Sequence, residues 1–65
     1  MIIRTYKYIV NTDTYDAFYV SNDYLYAVNK INGQQLRILN KNAEDSLDKI
    51  LEGMANGAPV LTLKP

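Results

Sequence analysis

The sequence predicts an α+β fold, in which a mostly antiparallel sheet of four to five strands carries one helix on one of its faces. As far as Asn42, β-branched and aromatic residues alternate with polar ones between clusters of Asn, Asp and Gly, which is typical of strands and hairpins. From Ala43 to Met54 the apolar residues follow a helical period, and a last apolar run begins after Pro59. The predicted order is therefore β-β-β-β-α-β. The 65 residues hold no internal repeat and no linker, so we expect a single small domain over residues 1–65.

The first predicted strand covers residues 2–10, and the alternation leaves two choices for its buried face. Ile3 and Ile9 lie on one side of an extended strand, and Tyr6 and Tyr8 lie on the other. An even number of residues in the connection that follows turns the isoleucines inward, and an odd number turns the tyrosines inward. The sequence leaves both alternatives open.

The next two strands are predicted to form a hairpin around Asn22 and Asp23, which interrupt two apolar runs. With these two residues as the loop, Val20 pairs with Leu25. The same register puts the only phenylalanine, Phe18, on the dry face of the sheet. We expect this face to meet the helix.

Asn32 and Gly33 give the strongest turn signal, because both residues readily adopt the positive φ of a type I′ turn. A two-residue turn here pairs Ile31 with Gln34 and leaves Ile31 on the dry face. The dry faces of this hairpin and of the preceding one agree. The opposite face then carries several tyrosines.

The helix is predicted to begin after Asn42, whose side chain is a good N-cap, with two acidic residues in the first turn. Gly57 ends it in a left-handed cap. Gly53 inside the helix indicates a close approach by another segment, or a weak last turn. The predicted apolar stripe is Ala43, Leu47, Ile50, Leu51 and Met54.

The last strand, residues 59–64, has two possible places in the sheet. Small sheets built from hairpins favour antiparallel pairing, so we expect it beside the first strand, in the order 5-1-2-3-4. The alternative is a right-handed crossover to a place beside the fourth strand. The predicted core is Phe18, Val20, Leu25, Ala27, Ile31, Leu36, Ile38, Leu47, Ile50, Leu51 and Met54.

The composition excludes several chemistries. Without Cys or His the chain forms neither a disulfide nor a zinc site of the usual kind, and it lacks the common nucleophile and base pairs. Ser21 lies in a predicted turn and Ser46 in the first helical turns, both ordinary structural positions. Asp13 and Asp16 share a loop that lacks the glycine and terminal glutamate of a calcium-binding EF-hand. We therefore expect no catalytic residue, no cofactor and no metal.

Charge and hydropathy indicate the cellular compartment of the chain. Its seven basic and seven acidic residues give a net charge of zero, so no overall field draws it to nucleic acid. No apolar run approaches the roughly 20 residues that span a bilayer, and the N-terminus does not resemble a secretory signal. We expect a complete cytoplasmic chain. Its 7 Asn, 5 Lys, 6 Ile and 6 Tyr are typical of AT-rich genes, as in low-GC bacteria and their phages.

The tyrosines carry the functional prediction. Tyrosine with arginine is the composition of protein-binding hot spots, so we expect a non-catalytic protein-binding module. It would be a small bacterial or phage accessory or inhibitor protein that covers a larger protein or binds a second copy of itself. The alternative is single-stranded nucleic-acid binding, with rings that stack on bases and cations that contact phosphates. The four helix acids could also imitate phosphates, although a solvated helix face is their simpler interpretation. The predicted partner-binding residues are Tyr19, Tyr24, Tyr26, Arg37 and Lys41.

Overall fold

A computed structural model describes residues 1–64. They form one helix and six strands, and the strands make two small sheets. The elements are β1 (Ile2–Arg4), β2 (Ile9–Asn11), β3 (Tyr15–Ser21), β4 (Tyr24–Asn29), β5 (Gln35–Leu39), α1 (Ala43–Ala55) and β6 (Val60–Thr62). The α+β class is confirmed. The single sheet is not, because the strands divide into a mixed sheet of order β2-β1-β6 and an antiparallel sheet of order β3-β4-β5. The helix packs against strands of both.

The predicted first strand is in fact a hairpin. The hydroxyl oxygen of Thr5 accepts the backbone amides of Lys7 at 3.3 Å and Tyr8 at 2.8 Å, and these bonds close a turn between β1 and β2. Ile3 therefore pairs with Val10, and both are buried, whereas Ile9 is 74% exposed. Neither predicted alternative is correct, since a reversal inside the segment breaks the alternation on which both depended.

The extra reversal also changes the direction of the last strand. As predicted, β6 lies beside the first strand, but it runs parallel to β1, with Ile3 opposite Leu61. Antiparallel pairing would follow if residues 2–10 formed one strand that crosses the sheet once. Within residues 1–64, the alternative crossover to a place beside the predicted fourth strand, which is β5, is not formed.

The hairpin of β3 and β4 confirms its prediction. Asn22 and Asp23 form the loop with φ of 51° and 65°, the positive values that a type I′ turn requires at both centres. Val20 pairs with Leu25, and Phe18 lies on the same face.

The turn between β4 and β5 is longer than predicted. The Asn29 amide donates to the Gln34 carbonyl at 2.8 Å, which leaves a four-residue loop, and only Gly33 in it has a positive φ, 72°. The Asn29 side-chain oxygen accepts the amides of Ile31 and Asn32, and these bonds stabilise the longer loop. The strand pairing shifts by two residues, so residues 35–37 and their partners in β4 keep their predicted faces. Ile31, predicted in the core, is 82% exposed.

A bulge in β5 adds a core residue. Leu25 pairs with Leu39 and Tyr26 with Arg37, so Ile38 is the extra residue on β5. Both Ile38 and Leu39 are buried. Strict alternation along β5 would place Leu39 on the outer face with Arg37.

The helix has the predicted ends. Asn42 precedes it with a positive φ of 54°, and its carbonyl, rather than its side chain, accepts the first bond, from the Ser46 amide. At the other end Gly57 has a φ of 67° and donates to the Met54 carbonyl, while Ala58 donates to that of Gly53. This pair of bonds is a Schellman cap.

The helix is rotated relative to the predicted stripe. Its buried residues are Ala43, Ser46, Ile50 and Gly53. Leu51 and Met54, both predicted in the core, are 69% and 41% exposed. Small side chains on the buried side let the helix lie close to both sheets: a Cβ on Gly53 would lie 3.1 Å from the Met1 sulfur, which confirms the close approach. The buried core is Ile3, Val10, Leu25, Ala27, Ile38, Leu39, Ala43, Ile50 and Leu63, with Phe18, Val20, Leu36 and Leu47 packed at its margin.

Candidate functional site

The outer face of the β3-β4-β5 sheet carries three of the six tyrosines. Strand residues alternate between faces, so the residues between the core positions of β3 and β4 point away from the helix. Tyr19, Tyr26 and Arg37 lie side by side across the three strands in one row. Tyr24 lies one step further along, opposite Ser21. The strand alternation therefore creates an aromatic surface opposite the aliphatic core.

The three rings pack on one another. Tyr19 and Tyr26 stack with their centroids 5.1 Å apart and their planes 15° from parallel. Tyr24 meets Tyr26 edge to face, with a centroid distance of 6.4 Å and an angle of 79°. Both arrangements are favourable for aromatic pairs. All three tyrosines are half-buried, so each keeps part of its surface in contact with solvent while it packs on its neighbours.

Two polar side chains complete the group. The Arg37 guanidinium carbon lies 4.6 Å from the Tyr24 ring centroid, within the range of a cation–π contact. The Tyr19 hydroxyl donates a hydrogen bond to the side-chain oxygen of Gln35. Together, Tyr19, Tyr24, Tyr26, Gln35 and Arg37 form the tyrosine cluster.

The structure brings together four of the five predicted site residues. Lys41 is the exception, because β5 ends at Leu39 and Lys41 lies exposed in the connection to the helix. A regular strand as far as residue 41 would place Lys41 on the outer face with Arg37. Gln35 was missed. Its outward orientation followed from the strand alternation, but its bond to Tyr19 depends on the two-residue shift in pairing.

A cleft of about 220 Å³ lies beside the tyrosine cluster, between the β1–β2 turn and β5. Tyr6, Lys7 and Tyr8 form one wall, and residues 36–40 form the other. Two cationic side chains, Lys7 and Arg37, line it, and none of the lining residues is acidic. The Lys7 ammonium lies 6.0 Å from the Tyr8 ring centroid. Sequence reasoning missed this wall, although Thr5 was a visible signal for the turn that forms it.

Metal ligands and membrane-spanning helices are two further features that would bear on function. Residues 1–64 contain no group of three or more acidic side chains close enough to hold a metal ion. The 13-residue helix in that part of the chain is too short to cross a membrane.

Comparison with protein-family models, with curated proteins and with solved structures finds no match to this chain. No related protein therefore suggests a ligand for the tyrosine cluster or for the cleft. A function for this chain has to be inferred from the geometry of these two surfaces.

Proposed function

We propose that this chain is a non-catalytic protein-binding module that covers a surface of a larger protein with its tyrosine cluster. It would act in the cytoplasm as a small accessory or inhibitor protein of a bacterium or a phage. The observation that carries the proposal is the packing of three tyrosine rings and one arginine into a single preassembled group on an open sheet face.

Preassembly matters because ordering side chains opposes binding. Immobilising a flexible side chain at an interface costs about 0.5–1.5 kcal/mol. In the tyrosine cluster the rings already hold one another, and the Tyr24 ring supports the Arg37 guanidinium. A partner would meet rings, hydroxyls and guanidinium N–H groups that are already oriented. Rigid aromatic and arginine anchors of this kind dominate the binding energy of protein interfaces.

The same geometry disfavours the single-stranded nucleic-acid alternative. Stacking on a base needs a free ring face, and one face of each ring is already occupied, by the Tyr19–Tyr26 stack or by the Arg37 contact with Tyr24. Tracking a phosphate backbone needs several cations along a groove, and the tyrosine cluster contains only Arg37. The arrangement therefore supports contact with another protein more strongly than contact with bases.

The chain is large enough to carry an interface of ordinary size. A standard interface buries roughly 800 Å² on each partner. The chain exposes 4389 Å², so an interface of this size would cover about a fifth of it. The tyrosine cluster would form the centre of that area, with the surrounding strand residues as its rim.

The test is quantitative capture of proteins from the source cell with the wild type, Tyr26→Ser and a matched control, Ile9→Ser. Ile9 is 74% exposed on the other sheet, so its replacement also removes a large apolar side chain from the surface. We expect one partner to be retained by the wild type and by Ile9→Ser and to be lost with Tyr26→Ser. A partner held equally by all three proteins, or none, would contradict the proposal.

A titration with a mixed-sequence single-stranded oligonucleotide, followed by tyrosine fluorescence, tests the alternative directly. The chain has no tryptophan to obscure the signal. We expect no saturable change at low salt. Quenching that saturates and weakens steeply with salt would replace protein binding by nucleic-acid binding.

A further inference from the structure

One edge of the β3-β4-β5 sheet has unpaired backbone groups beside the cationic cleft. Bonded and non-bonded residue pairs alternate along an antiparallel ladder. Since Asn29 is bonded to Gln34, the pairs Val28–Gln35 and Tyr26–Arg37 are non-bonded. The backbone N–H and C=O groups of Gln35 and Arg37 therefore point away from β4.

Within residues 1–64 these outward groups have no backbone partner, and β5 pairs with β4 alone. Gln35 and Arg37 are both exposed. Edges of this kind add a further strand readily unless they are blocked. The space next to β5 is the cleft, whose far wall is Tyr6, Lys7 and Tyr8.

The side chains around this edge indicate the charge and polarity of a segment that could bind there. Arg37 on the outer face and Lys7 on the far wall are positive, and the cleft has no acidic lining residue to neutralise them. In the described part of the chain the one ion pair joins Asp45 to Lys49 on the helix, so neither of these cations is engaged by a carboxylate. Leu36 and Tyr8, both half-buried, give the cleft its accessible apolar side chains.

We propose that β5 binds an extended acidic segment of the partner protein, which adds to the β3-β4-β5 sheet as a fourth strand. Its acidic side chains would lie between Arg37 and Lys7, and the alternate apolar side chains would pack against Leu36 and Tyr8. Backbone hydrogen bonds supply the affinity in this mode, and alternate side chains supply the specificity. The inference rests on the proposed function, in that both surfaces serve one partner, yet it concerns different atoms from the tyrosine cluster's rings.

The probe is a blocked peptide of four Val-Glu repeats, with four Val-Lys repeats as its charge control. We expect the acidic peptide to bind and the basic peptide not to bind. On binding, the backbone amides of Gln35 and Arg37 should exchange with solvent at least about tenfold more slowly, because they become hydrogen-bonded. Failure of the acidic peptide to bind at millimolar concentration, equal binding of the two peptides, or slower exchange confined to other strands would overturn the inference.

Variants separate the roles of charge and backbone. Lys7→Glu and Arg37→Glu should each weaken peptide binding at least about tenfold, since they reverse a complementary charge. Lys49→Glu makes the same change in net charge on the helix and should have no effect.

Gln35→Pro should abolish binding by removing an outward amide, and edge strands tolerate proline at such positions. Gln35→Val loses the same side-chain bond to Tyr19 but keeps the amide, and should still bind. Peptide binding that survives Gln35→Pro would exclude strand addition.

Tyr26→Ser keeps this inference distinct from the proposed function. It should leave peptide binding unchanged while removing the captured partner. Peptide binding without a tyrosine-dependent partner would contradict the proposed function alone. A tyrosine-dependent partner without peptide binding would contradict the strand-addition inference alone.

Discussion

The two faces of the β3-β4-β5 sheet are built by the same alternation of residues but have opposite characters. The inner face presents Leu25, Ala27 and Ile38, all buried against the helix and the second sheet. The outer face presents tyrosine rings that are half-buried by one another and stay in contact with water. Aliphatic side chains on one face and hydroxyl-bearing rings on the other place the core and the proposed binding surface on opposite sides of one thin sheet.

This division has a physical reason in a chain of 65 residues. Small domains bury little surface, so a single missing core side chain removes a large share of their stability. A binding surface built from core residues would therefore compromise folding. Rings that rest on strands and on each other provide a rigid surface without drawing on the core.

The largest expected effect lies on the inner face. Leu25 is fully buried, so Leu25→Ala should lower the free energy of unfolding by about 2–5 kcal/mol, through lost burial and an unfilled cavity. Chemical denaturation measures this loss. Val28→Ala, on the same strand but on the outer face, is the matched control and should cost clearly less. Equal losses of unfolding free energy in the two variants would mean that both faces contribute equally to stability. The distinction between a stabilising inner face and an outer face would then be lost.

A smaller effect is expected on the outer face. Tyr19 and Tyr26 are stacked, and such pairs contribute about 0.5–1.5 kcal/mol beyond the area they bury. A double-mutant cycle with Tyr19→Ala and Tyr26→Ala should give a coupling energy in that range. Each single variant should remain folded. A coupling near zero would show that the rings do not hold each other in solution, and the case for a preassembled binding surface would fail with it.

Much of this two-faced sheet could be predicted from the sequence, because a shift in pairing by two residues preserves the faces. The loop between β4 and β5 is twice the predicted length, yet Tyr24, Tyr26 and Arg37 still share the outer face. The shorter turn at Asn22 and Asp23 was predicted correctly, since both residues tolerate positive φ. In these cases the turn residues and the alternation together determine which face of the sheet each residue lies on.

The errors come from local hydrogen bonds and from single-residue insertions. The Thr5 and Asn29 side chains each accept backbone amides and so create or lengthen a turn. The bulge at Ile38 buries Leu39, and β5 then ends before Lys41. The alternation of polar and apolar residues shows neither a side-chain hydrogen bond to the backbone nor a single inserted residue. The adjacent pair of large apolar residues in β5 was the one visible sign of the bulge.

The smallest expected effect concerns the helix that covers the inner face. Ile50 and Leu51 are neighbours in the sequence, but Ile50 is 2% exposed and Leu51 is 69% exposed. Leu51→Ala should therefore change the free energy of unfolding by no more than about 0.5 kcal/mol, as surface substitutions do. Ile50→Ala, its control, should cost about 2–5 kcal/mol. A reversed order would mean that the helix lies on the sheet through the stripe that its periodicity predicts, with Leu51 and Met54 inward. In that case Gly53 would not face Met1, and a Cβ at position 53 would not lie 3.1 Å from the Met1 sulfur.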